Sequence, residues 1–292
     1  MTYKTKIALI IALLFWASAF AGIRAGLQHY SPEGLALLRY IIASLCMALV
    51  YFRLPNRKRM ALKDACGLLA VGALGIGVYN LTLNYGELFV NSGTASFIIS
   101  QSPIITALFA LLFLGEKVTR LRITGFMVSV IGVVCIAMGQ QGGLQWGIGI
   151  GYVLIATLAG GLFSVLQKPF LKKYHAIEVT TYIIWGGTLF LAMYFSKMQH
   201  DLMSAPLSAT LVVIYLGIFP AAVGYIAWSY ALATIPASRA VSYLYFMPFM
   251  AMLLGWVWLH EVPVYLTVIG GLLAVGGVWI VNHSYRPRLK SV

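Results

Sequence analysis

Asn80, Asn84 and Glu87 stand at i, i+4 and i+7, so a helix would place all three on one face. They sit inside or beside an apolar run, where amides are costly unless bonded or wet. Ser92, Ser96 and Ser100 repeat every four residues and lead to Pro103, which forms a second polar stripe. Trp16, Phe20 and Arg24 share a third face. Phe163, Ser164 and Gln167 cluster in another run, as do Tyr225, Trp228 and Ser229, and Tyr243 and Tyr245 precede Pro248. Amides, hydroxyls and aromatic rings hold a polar or zwitterionic solute with an apolar part; they do not cleave bonds. Enzyme chemistry finds no support. His29, His175, His200, His260 and His283 lie at the ends of apolar runs or between them, with no HExxH motif, no carboxylate cluster and no activated nucleophile. No cofactor or metal is implied. The glycine-rich stretch GALGIG (72–77) lies within an apolar run and follows no strand, so it is not a nucleotide loop.

The runs that carry these residues dominate the chain. Of 292 residues, 61% are hydrophobic and 9% charged, against roughly 25% charged in soluble domains. This excludes a globular enzyme with a single anchor. Ten apolar runs are long enough to span a bilayer: 7–27, 33–52, 65–86, 92–114, 121–139, 147–167, 178–197, 209–231, 238–259 and 264–282. The expected fold is an all-α membrane protein of ten transmembrane helices. Ala17-Ser18-Ala19 after Lys4 and Lys6 resembles a signal-peptide cleavage site, but the apolar run continues to Leu27, so the first span is read as uncleaved. Cys46, Cys66 and Cys135 suggest neither a disulfide framework nor a metal site.

Lys and Arg set the orientation. With the N-terminus inside, nearly all fall at inner ends, among them Lys4, Lys6, Arg53, Arg57, Lys58, Arg59, Lys63, Lys168, Lys172 and Lys173; Arg24, Arg39 and Lys197 depart from the rule. Both termini are then cytoplasmic, and the formal net charge of +13 reflects topology rather than nucleic-acid binding.

A shift of 145 residues superimposes the sequence on itself. Glu33 meets Glu178, Gly72 meets Gly217, Tyr85 meets Tyr230, Pro103 meets Pro248, Glu116 meets Glu261 and Gly125 meets Gly270. The chain reads as two five-helix repeats, 1–140 and 146–292. Five is odd, so the second enters the membrane from the opposite side, as in many secondary transporters. Gly125, Gly132 and Gly139, and Gly270 and Gly277, are seven apart and would allow close helix contact.

The stretches LLFWASAFAGIRAGLQHYSPEGLALLRY, SPIITALFALLFLGEKVTRLRITGFMVSVIGVV and MPFMAMLLGWVWLHEVPVYLTVIGGLLAVGGVWI resemble the repeated motifs of the EamA-type branch of the drug/metabolite transporter superfamily. The resemblance covers nearly the whole chain. It implies export of amino acids or similar small metabolites across a bacterial cytoplasmic (inner) membrane. It also implies a central cavity lined by the first, third, fourth, sixth, eighth and ninth helices, with the second helix outside it. Gly161 stands where the shift expects a partner for Trp16, and Ile184 opposes Arg39, so neither residue is duplicated.

The expected substrate-contacting residues are Trp16, Tyr79, Asn80, Asn84, Ser96, Ser100, Gln101, Phe163, Ser164, Tyr225, Trp228, Tyr243 and Tyr245, with helix kinks at Pro103 and Pro248. Pro103 should free the carbonyl of Ile99 and Pro248 that of Leu244. Ser100 and Tyr245 are expected to face each other across the repeat axis. Arg39 is read as a structural tie to a carbonyl or carboxylate. The partners are a small-molecule substrate and the bilayer, in a monomer or weak dimer, and the alternative reading is a passive channel or facilitator. Mid-membrane stretches lack Asp, Glu and His, so no obligatory proton exchange is expected.

Overall fold

A computed structural model describes residues 1–55, 57–90, 92–115, 119–138, 147–247, 250 and 265–283, with no strand among them. Helix α1 is Tyr3–Gly26 and α2 is Pro32–Arg53. Helix α3 (Leu62–Phe89) contains a π-helical turn at Ala73–Val78. Helices α4 (Ser92–Ile99) and α5 (Ser102–Leu114) follow one another across a break, and α6 is Arg120–Met138. Helix α7 is Ile148–Leu171 and α8 is Ala176–Ser204. Helix α9 (Leu207–Thr234) carries a second π-helical turn at Gly217–Val223. Helix α10 (Ala237–Ser242) runs into a 3₁₀ turn at Tyr243–Tyr245, and α11 is Tyr265–His283.

Among the described residues, seven helices are long and apolar enough to cross a membrane, with a shorter apolar stretch at Val268–Val281. Their outward faces carry exposed Ile10, Leu14, Leu45, Leu49, Leu108, Leu112, Leu158 and Leu211. Apolar surface on this scale is tolerated in lipid and not in water. The protein is an integral, multi-pass membrane protein.

Local chemistry sets the helix ends. Ser31 caps α2, accepting from the backbone N–H of Gly34 at 3.1 Å, and Pro32 takes the first turn, where its missing N–H costs nothing. His175 and Glu178 close a capping box on α8. Gly115 ends α5 in the left-handed region at φ 63°, a conformation that favours glycine.

Small residues draw helices together at two interfaces. A Cβ on Gly132 would lie 2.5 Å from the Gly270 carbonyl, and one on Gly277 2.5 Å from that of Gly125. The seven-residue glycine spacing thus makes the α6–α11 contact it leads one to expect; Gly139 lies outside the described residues. Helices α3 and α8 approach as closely, since Gly72 and Gly186 leave no room for a Cβ against the backbone of Ile183 and Leu69.

The bundle has two polar ends. At one, Asp201 accepts from the Ser31 N–H (2.8 Å) and hydroxyl (2.5 Å), and Glu33 accepts from Tyr85 (2.6 Å) and pairs with Lys197. At the other, Glu178 accepts from the Lys58 N–H (2.7 Å), Tyr174 donates to Asp64 (2.8 Å), and Lys168 donates to the Leu232 and Ile235 carbonyls. Glu33 and Glu178, equivalent under the 145-residue shift, therefore bind helix-end groups at opposite ends. Glu116, Glu261 and Pro248 lie outside the described residues.

The structure alters three sequence expectations. Helix α3 extends three residues beyond each end of the expected 65–86 span, and α8 runs on to Ser204 rather than Lys197. Pro103 does not kink a continuous helix. The chain turns at Ser100–Gln101, and Pro103 occupies the first turn of α5. The Ile99 carbonyl, which Pro103 deprives of a backbone partner, accepts instead from the Ser102 hydroxyl at 2.6 Å, in keeping with the expectation that it is freed.

Candidate functional site

A cavity lies where α1, α2, α3, α7, α9 and the α4–α5 break converge with the residues after α10. Its volume is about 70 Å³. A water needs roughly 10–15 Å³ on this measure, so the space holds a few waters. It falls well short of the roughly 300–1,000 Å³ of pockets that enclose a drug-sized ligand. The form seen here is therefore narrow, and a solute of any size must widen it.

One wall is aromatic. Trp16 lies 5.3 Å from the Tyr225 ring and 5.1 Å from that of Trp228, and Phe163 is 5.8 Å from Tyr225. The Trp16 indole N–H donates to the Pro220 carbonyl at 3.1 Å. Pro220 sits in the π turn of α9, where the irregular backbone leaves a carbonyl available. The opposing π turn of α3 places Gly75 directly under Phe163. Each π turn thus holds one ring of the wall.

The other wall is polar. Arg39 donates through Nη1 to Asn80 Oδ1 at 3.1 Å, and its guanidinium lies 5.4 Å from the Tyr40 ring centre. The Asn80 amide donates to Tyr40 Oη (2.8 Å) and to the Ile76 carbonyl (2.9 Å), and Tyr40 donates to Tyr225 at 3.4 Å. Arg39 is 4% exposed and, among the described residues, is the only charged one lining the cavity.

Of the thirteen expected contact residues, the cavity gathers Trp16, Tyr79, Asn80, Phe163, Ser164, Tyr225 and Trp228. The other six do not line it. Asn84 donates to the Pro32 carbonyl at 2.9 Å and ties α3 to α2. The Ser100 hydroxyl turns back to the Phe97 carbonyl at 2.6 Å, and Gln101 donates to the same carbonyl at 3.2 Å. Ser96 is buried away from the cavity, and Tyr243 stacks on Phe246. Tyr245 packs toward α6, 6.4 Å from Phe126. Ser100 and Tyr245 therefore do not meet. The turn at Ser100–Gln101 rotates the chain so that Ile99 and Ser102 face inward instead. Leu244 and Met247 do so on the other side.

The position of Arg39 also differs from expectation. It does bond a carbonyl oxygen, that of Asn80, but it lines the cavity, and α2 contributes to the site. Sequence reasoning also passed over Gly75, Leu83, Leu244 and Met247. The 145-residue shift was the available signal. Lining positions pair across it as Ala19 with Ser164, Asn80 with Tyr225, Leu83 with Trp228, Ile99 with Leu244 and Ser102 with Met247.

The profile of the EamA-like transporter family matches the chain twice, over residues 4–138 and 147–283. A protein of Streptantibioticus cattleyicolor described as a probable terminal-alkyne amino-acid exporter is 37% identical over 287 residues, 98% of this chain and 96% of its own. The transporter YdfC of Bacillus subtilis, itself uncharacterized, is 37% identical over 278 residues, 95% of this chain and 90% of its own. A solved crystal structure shares the fold at a TM-score of 0.77 and 18% identity, covering 100% of both chains. The chain belongs to the EamA-like transporter family.

Proposed function

We propose that the protein is a secondary transporter that exports amino acids or similar small metabolites by alternating access around the Trp16–Asn80–Tyr225 cavity. The carrying observation is that both halves of the sequence supply the cavity wall at positions 145 apart. Two inverted repeats, 1–140 and 146–292, would each give the same surface to opposite sides of the membrane. Helices α3 and α9 support the repeat, since Leu62–Phe89 and Leu207–Thr234 share their length and the shift, and each carries a π turn in its middle. The twofold family match supports it as well.

The basic residues favour ten spans with both termini in the cytoplasm. Arg53, Lys58, Lys63, Lys168, Lys172 and Lys173 collect at the end where Lys58 meets Glu178, which is then the inner end. The amino-acid reading draws on the aromatic and amide lining, and on the exporter named among the relatives. Purified protein in liposomes tests it. Vesicles loaded with unlabelled leucine should transiently concentrate external labelled leucine, whereas a panel of amino acids giving no saturable exchange would refute the substrate class.

A further inference from the structure

Among the described residues, the cavity lining holds one charge and no counter-charge. Arg39 is buried, and no carboxylate lines the space beside it among the described residues. Its Nη1 is held by Asn80, but its Nε has no hydrogen-bond partner among the described residues. The indole Nε1 of Trp228, 1% exposed and lining the same cavity, is also without one. Each such donor carries a desolvation cost that a partner would remove, and the cost is largest for a charged group. The neighbouring groups supply no anion. Asn80 offers a single amide oxygen, while Tyr40 and Tyr225 pass hydrogen bonds between themselves.

We propose that the cavity holds a carboxylate subsite, in which Arg39 and the Trp228 indole N–H, both lining it, receive the carboxylate of the solute. This rests on the transport reading above and narrows its substrate class. Asn80 is a positioning residue. It fixes one edge of the guanidinium through Oδ1 while its own amide is anchored to Tyr40 and Ile76. The rest of the solute then lies against Trp16, Phe20 and Phe163. An α-ammonium would rest on the faces of this aromatic wall, since no carboxylate among the described residues lines it. Carboxylates with an apolar body fit such a site. Simple amines do not, because Arg39 repels them.

The test is ligand-induced thermal stabilisation of the purified full-length protein with four probes that share an isobutyl group: leucine, isovalerate, leucinamide and isoamylamine. Leucine and isovalerate should stabilise with affinities about tenfold or more above those of the amide and the amine, as a charge-assisted hydrogen bond implies. Arg39→Gln should erase that preference and Arg39→Lys retain part of it. Trp228→Phe keeps the ring, loses the N–H and should weaken both carboxylates several-fold, so the proposal stays testable should Arg39→Gln not fold. Equal stabilisation by leucine and leucinamide, no stabilisation by either carboxylate, or a folded Arg39→Gln or Trp228→Phe protein that binds carboxylates like the parent would overturn it. Flux of the same probes in liposomes separates the two claims. Carboxylate binding without flux would refute transport and leave the subsite standing, and equal flux of leucine and leucinamide would do the reverse.

Discussion

Gly75→Ala adds one methyl group at the base of the aromatic wall. Its Cβ would lie 2.5 Å from both Cβ and Cγ of Phe163. Carbon atoms in good contact sit about 3.5–4.0 Å apart, so Phe163 must retreat by about 1 Å or more. Because its own Cβ is involved, rotating the ring does not relieve the contact, and α7 must shift relative to α3. Overpacking of this kind costs about 1–3 kcal/mol. Alanine returns about 1 kcal/mol of helix propensity, so the net loss of stability should lie near 0–2 kcal/mol. The transport effect should exceed it. The displaced ring loses its contact with Tyr225 and narrows a cavity that must already widen for solute. A penalty of about 1–3 kcal/mol on the solute-bound state corresponds to roughly 5–150-fold in affinity. Counterflow in liposomes and thermal unfolding in detergent measure the two effects separately. Adding Phe163→Ala, which removes Cγ and Cδ2 and leaves only the Cβ contact, should recover part of the stability. Gly276→Ala is the control; a Cβ at that position would meet no atom within 4 Å, and the change should be neutral or slightly stabilising. Normal counterflow and unchanged unfolding of Gly75→Ala would refute this assignment of the wall.

Further outcomes follow from other contacts. Gly132→Leu would drive a side chain into the backbone of α11 and should lower the unfolding temperature by the equivalent of about 1–3 kcal/mol or more, while a folded fraction keeps its affinity for solute. Lys197→Met leaves the buried Glu33 carboxylate with Tyr85 as its remaining side-chain partner and should lower the unfolding temperature measurably, whereas Lys197→Arg, which keeps the charge, should not. Glu87 is buried at the end of α3, outside the cavity lining, and Glu87→Gln should leave flux driven by the solute gradient unchanged. Strict dependence of uphill flux on a pH gradient, lost in that variant, would show it to be a coupling residue. A cysteine at His200 should react with an impermeant thiol reagent from outside and one at Asn56 should not; the reverse pattern would contradict the cytoplasmic termini.

Much of the architecture could be read directly from residue type and spacing. Apolar length marked the helices, and glycines seven apart marked the α6–α11 contact because period and size alone decide it. The half of the site on α1, α3, α7 and α9 was legible for a similar reason, since amides and aromatics inside apolar runs had few other places to go. The misplacements share a cause in backbone irregularity. A serine hydroxyl can bond its own helix as readily as a solute, and Ser100 and Ser102 both do so, at carbonyls left by the turn before Pro103. That turn presents Ile99 and Ser102 inward in place of Ser100, and the 3₁₀ turn at Tyr243–Tyr245 presents Leu244 and Met247 in place of Tyr245. The π turns carry no composition signal that distinguishes them from ordinary helix, so Gly75 passed unnoticed inside a stretch recognised only as a false nucleotide loop. Arg39 was discounted because the family resemblance placed its helix outside the cavity, although an unpaired arginine inside a span already pointed to function.

Counterflow by the purified protein tests the central claim most directly. Liposomes preloaded with excess unlabelled leucine, with no ion gradient, should transiently accumulate labelled leucine above its equilibrium level. The exchange should saturate and should slow in Tyr225→Ala and Trp228→Ala. Flux that rises linearly with concentration and never overshoots would mean a pore, and would contradict alternating access around this cavity.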